Sequence, residues 1–242
     1  MFEGKRAWQR DLNDALDEVQ SRYPGAPAGS KTVYLVRHAQ SRSNVAVERL
    51  RSGELAVGTV QLMRQGFDAP LSPKGCQQLE SVRPAARQLG HLLEAVLFSP
   101  LQRAERTALE LFGDGDERGG FQPCQGQFWR PVRALKEKRL KEHIQGKLFA
   151  SQSILELRVQ GFLRFLEVLP WSCFALVGHS RFFTTMFEHM GVDMRFANAN
   201  IFRVVLTGGR NGLECGLLEL VARPSGEPSP EDATETDEAA EG

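Results

Sequence analysis

Short apolar runs alternate with helix-periodic segments along most of this chain, and this alternation constrains the fold more than any other feature. TVYLVR (32–37) is a continuous apolar run, as expected of a strand buried on both faces. AVLFS (95–99), PVRALK (131–136) and CFALVGH (173–179) are further strand candidates. Strands that alternate with helices predict an α/β fold, with helices on both faces of a mostly parallel sheet.

Proline and glycine mark the ends of the intervening helices. Ser72 as N-cap and Pro73 at the first helical position predict a helix that ends at Gly90, with Gly90 as a suitable C-cap. A second helix is predicted from Pro100 to Gly113. Two further apolar-rich helices are predicted over 151–169 and 181–191.

Residues 200–220 contain two strand patterns around a Gly-Gly-Arg-Asn-Gly turn, which predicts an antiparallel hairpin. The expected architecture is therefore three-layer α/β/α, with a mostly parallel central sheet and an antiparallel edge hairpin.

The composition changes at both ends of the chain. Residues 1–30 are predicted to be an amphipathic helix (3–22) and a linker; packing on the main domain and binding a partner are both open roles for it. Residues 31–222 form the expected catalytic domain. Residues 223–242 are acidic, contain proline and lack large apolar groups, so a disordered tail is predicted.

Charge and cysteine usage exclude several functional classes. The chain has 30 basic and 30 acidic residues, and this balance argues against a dedicated nucleic-acid or anionic-membrane binder. No apolar run approaches the ~20 residues of a membrane span, and no apolar segment near the N-terminus resembles a secretory signal. The cysteines form no C-x-x-C pair, which favours reduced thiols and a cytoplasmic location. They are Cys76, Cys124, Cys173 and Cys215.

Polar side chains with chemical capability follow the predicted parallel strands. They are Arg37, His38, Arg103, Arg106, Glu137, Glu142 and His179. The carboxyl ends of parallel strands share one edge of the sheet, so these side chains can converge there. Guanidinium groups match phosphate oxygens, and a helix that starts just after the first strand adds free N–H groups. The pattern predicts a site for a dianionic phosphate.

Four segments in order resemble the signature blocks of the histidine phosphatase (phosphoglycerate-mutase-like) superfamily. They are LVRHAQSRSN (35–44), DAPLSPKGCQQL (68–79), FSPLQRAERTA (98–108) and ALVGHS (175–180). The resemblance extends over about residues 32–207, with NANIFRVVL (198–206) similar to the family's closing strand. It implies a metal-independent phosphoric monoester hydrolase of the histidine acid phosphatase type that needs no cofactor.

The resemblance also implies a role for each matching residue. His38 corresponds to the nucleophile, which would form a phosphohistidine that water then hydrolyses. The expected phosphate-binding residues are Arg37, Asn44, Arg103 and His179. The family register selects Arg103 over Arg106, which is interpreted as a surface or salt-bridge residue, and Arg42 is placed at the pocket rim without an essential role.

A carboxylic acid is needed to protonate an alkoxide leaving group. Glu137 in LKE (135–137) resembles the family's acid, with Glu142 as the reserve candidate and His143 as a third. A solvated charged face also explains the surrounding residues 136–143.

The sequence departs from the family pattern in ways that bear on the substrate. Ala39 and Ser180 stand where glycine is usual, and both are small enough for the turns. Residues 44–68 replace a short motif of true phosphoglycerate mutases, and residues 137–179 lack room for the mutase insertion. Both departures favour a phosphatase with an open pocket. A mutase-like phosphotransferase and a catalytically weak phospho-ligand-binding or scaffold member remain the alternatives.

Two other chemistries fit less well. VGHSRF begins like the nucleophile elbow of α/β-hydrolases around Ser180, but Phe182 replaces the final glycine, and the later His189 lies in the same predicted helix. The five histidines are too scattered to indicate a metal site. The expected partner is a phosphorylated small molecule or a phosphoprotein substrate, and the oligomeric state is open.

Overall fold

The computed structural model describes residues 29–65, 68–113, 133–136, 152–209 and 212–226. The predicted N-terminal helix (3–22) and all but the first residues of the predicted acidic tail (223–242) lie outside these ranges. None of the helices within them is both long and apolar enough to span a bilayer.

Six strands and six helices lie within the described ranges. The strands are β1 (Lys31–Arg37), β2 (Ala95–Phe98), β3 (Arg133–Lys136), β4 (Cys173–Gly178), β5 (Ile201–Gly209) and β6 (Gly212–Ala222). The helices are α1 (Arg42–Arg51), α2 (Leu55–Gln65), α3 (Pro73–Gly90), α4 (Gln102–Phe112), α5 (Gln152–Val168) and α6 (Ser180–His189).

The strands form a single mixed sheet in the order β3-β2-β4-β1-β5-β6. Strands β3, β2, β4 and β1 pair in parallel, whereas β5 pairs antiparallel with β1 and β6 antiparallel with β5. Val36 in β1 is opposite Val177 on one side and Ile201 on the other. The predicted α/β fold with a closing antiparallel hairpin is confirmed, and β1 lies near its centre.

Helices cover both faces of this sheet because the central strands are apolar on both sides. Alternate residues of β1 belong to different clusters: Val33 and Leu35 pack with α5 and α6, and Tyr34 and Val36 pack with α3 and α4. Burial on both faces explains why this strand lacks the alternating pattern of a half-exposed strand. The central strands are therefore packed against helices on both faces of the sheet.

The helix boundaries agree with the capping signals in most places. The Ser72 hydroxyl accepts a hydrogen bond from the Gly75 N–H at 3.0 Å, and Pro73 begins α3. Helix α3 ends at Gly90, but its C-cap is His91, so Gly90 is the last helical residue and not the cap.

Helix α4 begins later than the sequence predicts. Leu101 is its N-cap, so Pro100 precedes the helix, while Gly113 is the C-cap as expected.

Two helices follow β1: α1, the helix expected just after the first strand, and α2, which the sequence did not indicate. Ser41 is the N-cap of α1 and forms a reciprocal capping box with Asn44. The helices approach closely at Gly58, where an added Cβ would lie 2.9 Å from the Ala46 carbonyl oxygen. Glycine is required at this crossing for steric reasons.

Candidate active site

His38 directly follows β1 and is only 2% exposed. Its backbone N–H donates to the Gly178 carbonyl at 2.9 Å, which continues the pairing of β1 with β4. The ring contacts two groups: Nδ1 lies 2.8 Å from the Ala39 carbonyl oxygen, and Nε2 lies 3.2 Å from Nε of Arg103. An arginine N–H can only donate, so Nε2 accepts and the ring proton lies on Nδ1. The lone pair of Nε2 therefore faces the guanidinium.

Arg103 is the second residue of α4, and it is 1% exposed despite its charge. The Thr107 hydroxyl, one turn later, donates to the Arg103 carbonyl at 2.7 Å and accepts from the Ala39 N–H at 3.1 Å. This threonine joins α4 to the turn that carries His38. It lies in the motif that predicts Arg103, although its linking role was not anticipated.

His179 is the N-cap residue of α6 and is fully buried. Its ring lies 5.0 Å from the ring of His38, centroid to centroid, at an interplanar angle of 64°. Nε2 of His179 is 2.8 Å from the hydroxyl oxygen of Ser99, the residue after β2. The Ser99 N–H donates to the Val177 carbonyl at 3.0 Å, so adjacent strand ends hold the serine and the histidine together.

Arg37 is the last residue of β1 and lies beside this pair of histidines. One of its terminal nitrogens, Nη1, donates to the Phe196 carbonyl at 2.6 Å. The structure thus brings together four of the residues expected to hold phosphate or attack it. They are Arg37, His38, Arg103 and His179.

Asn44 has a structural role beyond the one predicted from its position. Its Oδ1 accepts from the Ser41 backbone N–H at 3.0 Å and from the Ser41 hydroxyl at 2.8 Å. These bonds close the first turn of α1. The cap does not use Nδ2, the group that would donate to a phosphate oxygen.

The other two candidate arginines, Arg42 and Arg106, lie outside the buried cluster around His38. Arg106 is 65% exposed and forms an ion pair with Glu110 one turn along α4, as expected of a surface residue. Arg42 is exposed at the first position of α1. Arg103 and not Arg106 is therefore the α4 arginine at the histidine pair.

The predicted proton donor lies outside the described residues, as do its two alternatives, Glu142 and His143. Lys136 is the last residue of β3 and pairs with Phe98 of β2, so β3 ends at the same edge of the sheet as β2. Glu137, the residue after Lys136, remains a prediction from the sequence.

Burial and positive charge keep both imidazoles neutral. The pKa of His38 is held well below its usual value of 6.5, first by burial and then by the charges of Arg103 and Arg37. The pKa of His179 is lowered in the same way by burial, by His38 and by the arginines, including Arg158 of α5. Neutral imidazoles beside guanidinium groups suit the binding of an anion.

Arg158 was not among the residues predicted from the sequence. Its guanidinium carbon lies 5.9 Å from the centre of the Phe182 ring, within the distance of a cation–π contact. It lies in a helix with an ordinary amphipathic pattern, and no motif marks it. Among the described residues, no three His, Cys, Asp or Glu side chains are grouped so that they could hold a metal ion.

Comparison with known proteins locates the similarity in the first half of the chain. Residues 33–117 match the model of the histidine phosphatase superfamily, branch 1. A phosphoglycerate mutase-like protein of Arabidopsis thaliana is 38% identical over 92 residues, which cover 37% of this chain and 31% of the relative. Phosphoglycerate mutase-like protein 1 of the same plant is 36% identical over 85 residues, covering 34% and 28%. The matched region spans less than a third of these relatives.

Two solved phosphatase structures align over more of the chain than these plant relatives do. The protein histidine phosphatase SixA complexed with tungstate is 16% identical, with a TM-score of 0.42, and the alignment covers 78% of this chain and 96% of that one. The phosphoserine phosphatase of Entamoeba histolytica in complex with 3-phosphoglyceric acid is 15% identical, with a TM-score of 0.47, covering 81% and 98%.

The matched residues include His38 and α4 with Arg103, and they contain the first three of the four ordered sequence blocks; the fourth, residues 175–180, lies outside the match. Residues 33–117 of this chain are therefore similar to the histidine phosphatase superfamily, branch 1.

Proposed function

We propose that this protein is a phosphomonoester hydrolase that acts through a phosphohistidine intermediate on His38. The observation that carries the proposal is the contact between Nε of Arg103 and Nε2 of His38, at 3.2 Å in a buried site. This contact supports the proposal because it brings a nitrogen lone pair, which can attack phosphorus, next to a guanidinium donor, which can bind the phosphate oxygens. The ring of His179 lies beside that of His38 in the same buried cluster.

The charges of the free site match those of a phosphate group. Arg37 and Arg103 together supply two positive charges, and the lowered pKa values of His38 and His179 keep both rings neutral. A phosphomonoester dianion would balance the two guanidinium charges in a region from which water is excluded, where such interactions are strong.

In the first step, Nε2 of His38 donates its lone pair to phosphorus, and the bond from phosphorus to the ester oxygen breaks. The leaving oxygen takes a proton from a carboxylic acid, the role proposed for Glu137. Arg103 exchanges its contact with Nε2 for a phosphate oxygen in this step. The hydrogen bond from Nδ1–H to the Ala39 carbonyl stabilises the positive charge that develops on the ring.

In the second step, water attacks the phosphorus of the phosphohistidine. The carboxylate takes one proton from the water, the bond between phosphorus and Nε2 breaks, and its electron pair returns to the ring. Inorganic phosphate leaves, and His38 is again neutral.

Hydrolysis of p-nitrophenyl phosphate without added metal tests this function. The phenolate leaves easily, so the assay depends on His38 even without the acid. Wild type should release p-nitrophenol between pH 5 and 8, and His38→Ala should release it at the buffer rate. Absence of His38-dependent turnover across this range would instead favour a phospho-ligand-binding role.

A further inference from the structure

We propose that Asn198 is a positioning residue that fixes His38 for attack on phosphorus, an inference that rests on the phosphatase function proposed above. Asn198 lies in the connection between α6 and β5. Its Nδ2 donates to the carbonyl oxygen of His38 at 2.8 Å, although 160 residues separate the two in sequence. The asparagine does not face the reactive nitrogen, so it acts through the histidine backbone.

The same connection holds the neighbouring arginine at two points. The Phe196 carbonyl accepts from Nη1 of Arg37 at 2.6 Å, and the Ala199 N–H donates to the Arg37 carbonyl at 3.0 Å. Ala199 has a φ of 58°, a left-handed conformation that non-glycine residues adopt rarely, and which persists where surrounding contacts require it. Three hydrogen bonds therefore join residues 196–199 to the Arg37-His38 pair.

This connection is itself firmly anchored. Phe196 is 2% exposed, and its ring centre lies 5.5 Å from those of Phe183 and Phe187 and 5.3 Å from that of Phe202. Thr184 of α6 donates its hydroxyl to the Met194 carbonyl at 3.1 Å. Because the core holds this segment in place, its hydrogen bond to His38 can restrain the position of the histidine.

The His38 carbonyl and the following N–H belong to one rigid peptide unit. Asn198 holds the carbonyl of that unit, and Thr107 holds its N–H, which belongs to Ala39. The Ala39 carbonyl in turn accepts from Nδ1 of the His38 ring. The Ala39 carbonyl belongs to the next peptide unit, which is joined to the held unit at the Cα of Ala39. Holding the first unit therefore restrains the acceptor for Nδ1, while Arg103 is the donor that faces Nε2.

Two variants remove the Asn198 donor in different ways. Asn198→Asp keeps the shape but places an acceptor-only oxygen against the His38 carbonyl, and Asn198→Ala removes the side chain. We expect kcat on p-nitrophenyl phosphate to fall about 10- to 100-fold, because small displacements of a reacting group have effects of this size. KM should change by less than about threefold, since the arginines that bind phosphate are intact.

Thr184→Val is the matched control, because it removes one hydrogen bond from the same connection without touching Arg37 or His38. Its kcat should stay within about twofold of wild type. An equal loss of kcat in Thr184→Val and Asn198→Ala would overturn the proposal, since the effect would then come from loosening of the connection. Wild-type kcat in Asn198→Asp would also overturn it.

A spectroscopic readout separates this proposal from the proposed function. The NMR chemical shift of the Nδ1 proton of His38, measured near neutral pH, reports the hydrogen bond to the Ala39 carbonyl without any turnover. Wild type and Thr184→Val should share one shift, whereas both Asn198 variants should move this proton upfield as the hydrogen bond lengthens. An unchanged shift in the Asn198 variants contradicts the positioning role, even if wild type proves to hydrolyse no phosphomonoester.

Discussion

Nε of Arg103 lies 3.2 Å from Nε2 of His38, so a guanidinium donor covers the lone pair that the proposed reaction uses. Substrate must therefore replace the histidine as the partner of this donor. We expect Arg103→Ala to reduce kcat/KM on p-nitrophenyl phosphate by about 10²- to 10³-fold, the usual effect of removing a group that stabilises transition-state charge. Arg103→Lys should recover little of this loss, because an ammonium group lacks the planar fork.

Arg106→Ala is the control for these variants, since Arg106 lies one turn along the same helix and pairs with Glu110 at the surface. Its kcat/KM should match that of wild type. Equal losses at the two arginines would show that the effect arises from the overall charge of α4 and would contradict the assignment of Arg103.

Asn44 is predicted to serve two functions through different atoms. Asn44→Asp keeps an oxygen for the Ser41 cap but lacks Nδ2, so it should retain stability in urea unfolding while kcat/KM falls. Asn44→Ala should lower kcat/KM and also lose the cap, which should decrease the free energy of unfolding by about 1 kcal/mol. Wild-type turnover by Asn44→Asp would confine this residue to capping.

Ser99 holds His179 through a hydrogen bond between its hydroxyl and Nε2, at 2.8 Å. Ser99→Ala should lower kcat/KM and reduce the free energy of unfolding by about 1–3 kcal/mol, because a buried ring nitrogen loses its partner. Ser172→Ala is a suitable comparison: its hydroxyl donates to Glu94, and both lie at the opposite edge of the sheet. That variant should leave kcat/KM unchanged; a comparable drop there would refute a specific role for Ser99.

The buried neutral histidines predict how stability depends on pH. The folded protein holds the pKa values of His38 and His179 well below 6.5, whereas the unfolded chain titrates near 6.5. Between the lowered values and 6.5, the unfolded chain binds more protons. The free energy of unfolding should therefore fall as the pH decreases through this window. Above the window, the two neutral histidines make their full contribution to stability.

His38→Gln should make this pH dependence shallower in thermal unfolding measured from pH 7.5 to 4.5. His91→Gln, at an exposed position, should leave it unchanged. A steeper or unchanged dependence in His38→Gln would show that this ring is not held neutral in the folded protein.

The sequence predicted the parts of the site that depend on local pattern. The continuous apolar run of β1 and the polar pair at its end located Arg37 and His38, and the motif register distinguished Arg103 from Arg106. Local pattern also gave Ser72 and Pro73 at the start of α3, since capping is determined by neighbouring residues.

Other parts depend on tertiary contacts that no spacing encodes. Ser99 and His179 are 80 residues apart, and Asn198 and His38 are 160 apart, so only the folded sheet brings each pair together. Helix α1 was expected just after the first strand, but α2 was missed because Gly53 precedes it and Gly58 interrupts its apolar pattern. Gly58 has a role only in the folded chain, where it lets α2 pack closely on α1.

The most direct test of the account is to trap the phosphorylated protein during turnover and locate the phosphate. After rapid quenching in alkali, wild type should carry an acid-labile, alkali-stable phosphate on the peptide that contains His38, formed and lost at rates compatible with kcat. His38→Ala should carry none. Phosphate on any other residue, or unchanged turnover by His38→Ala, would contradict the central claim.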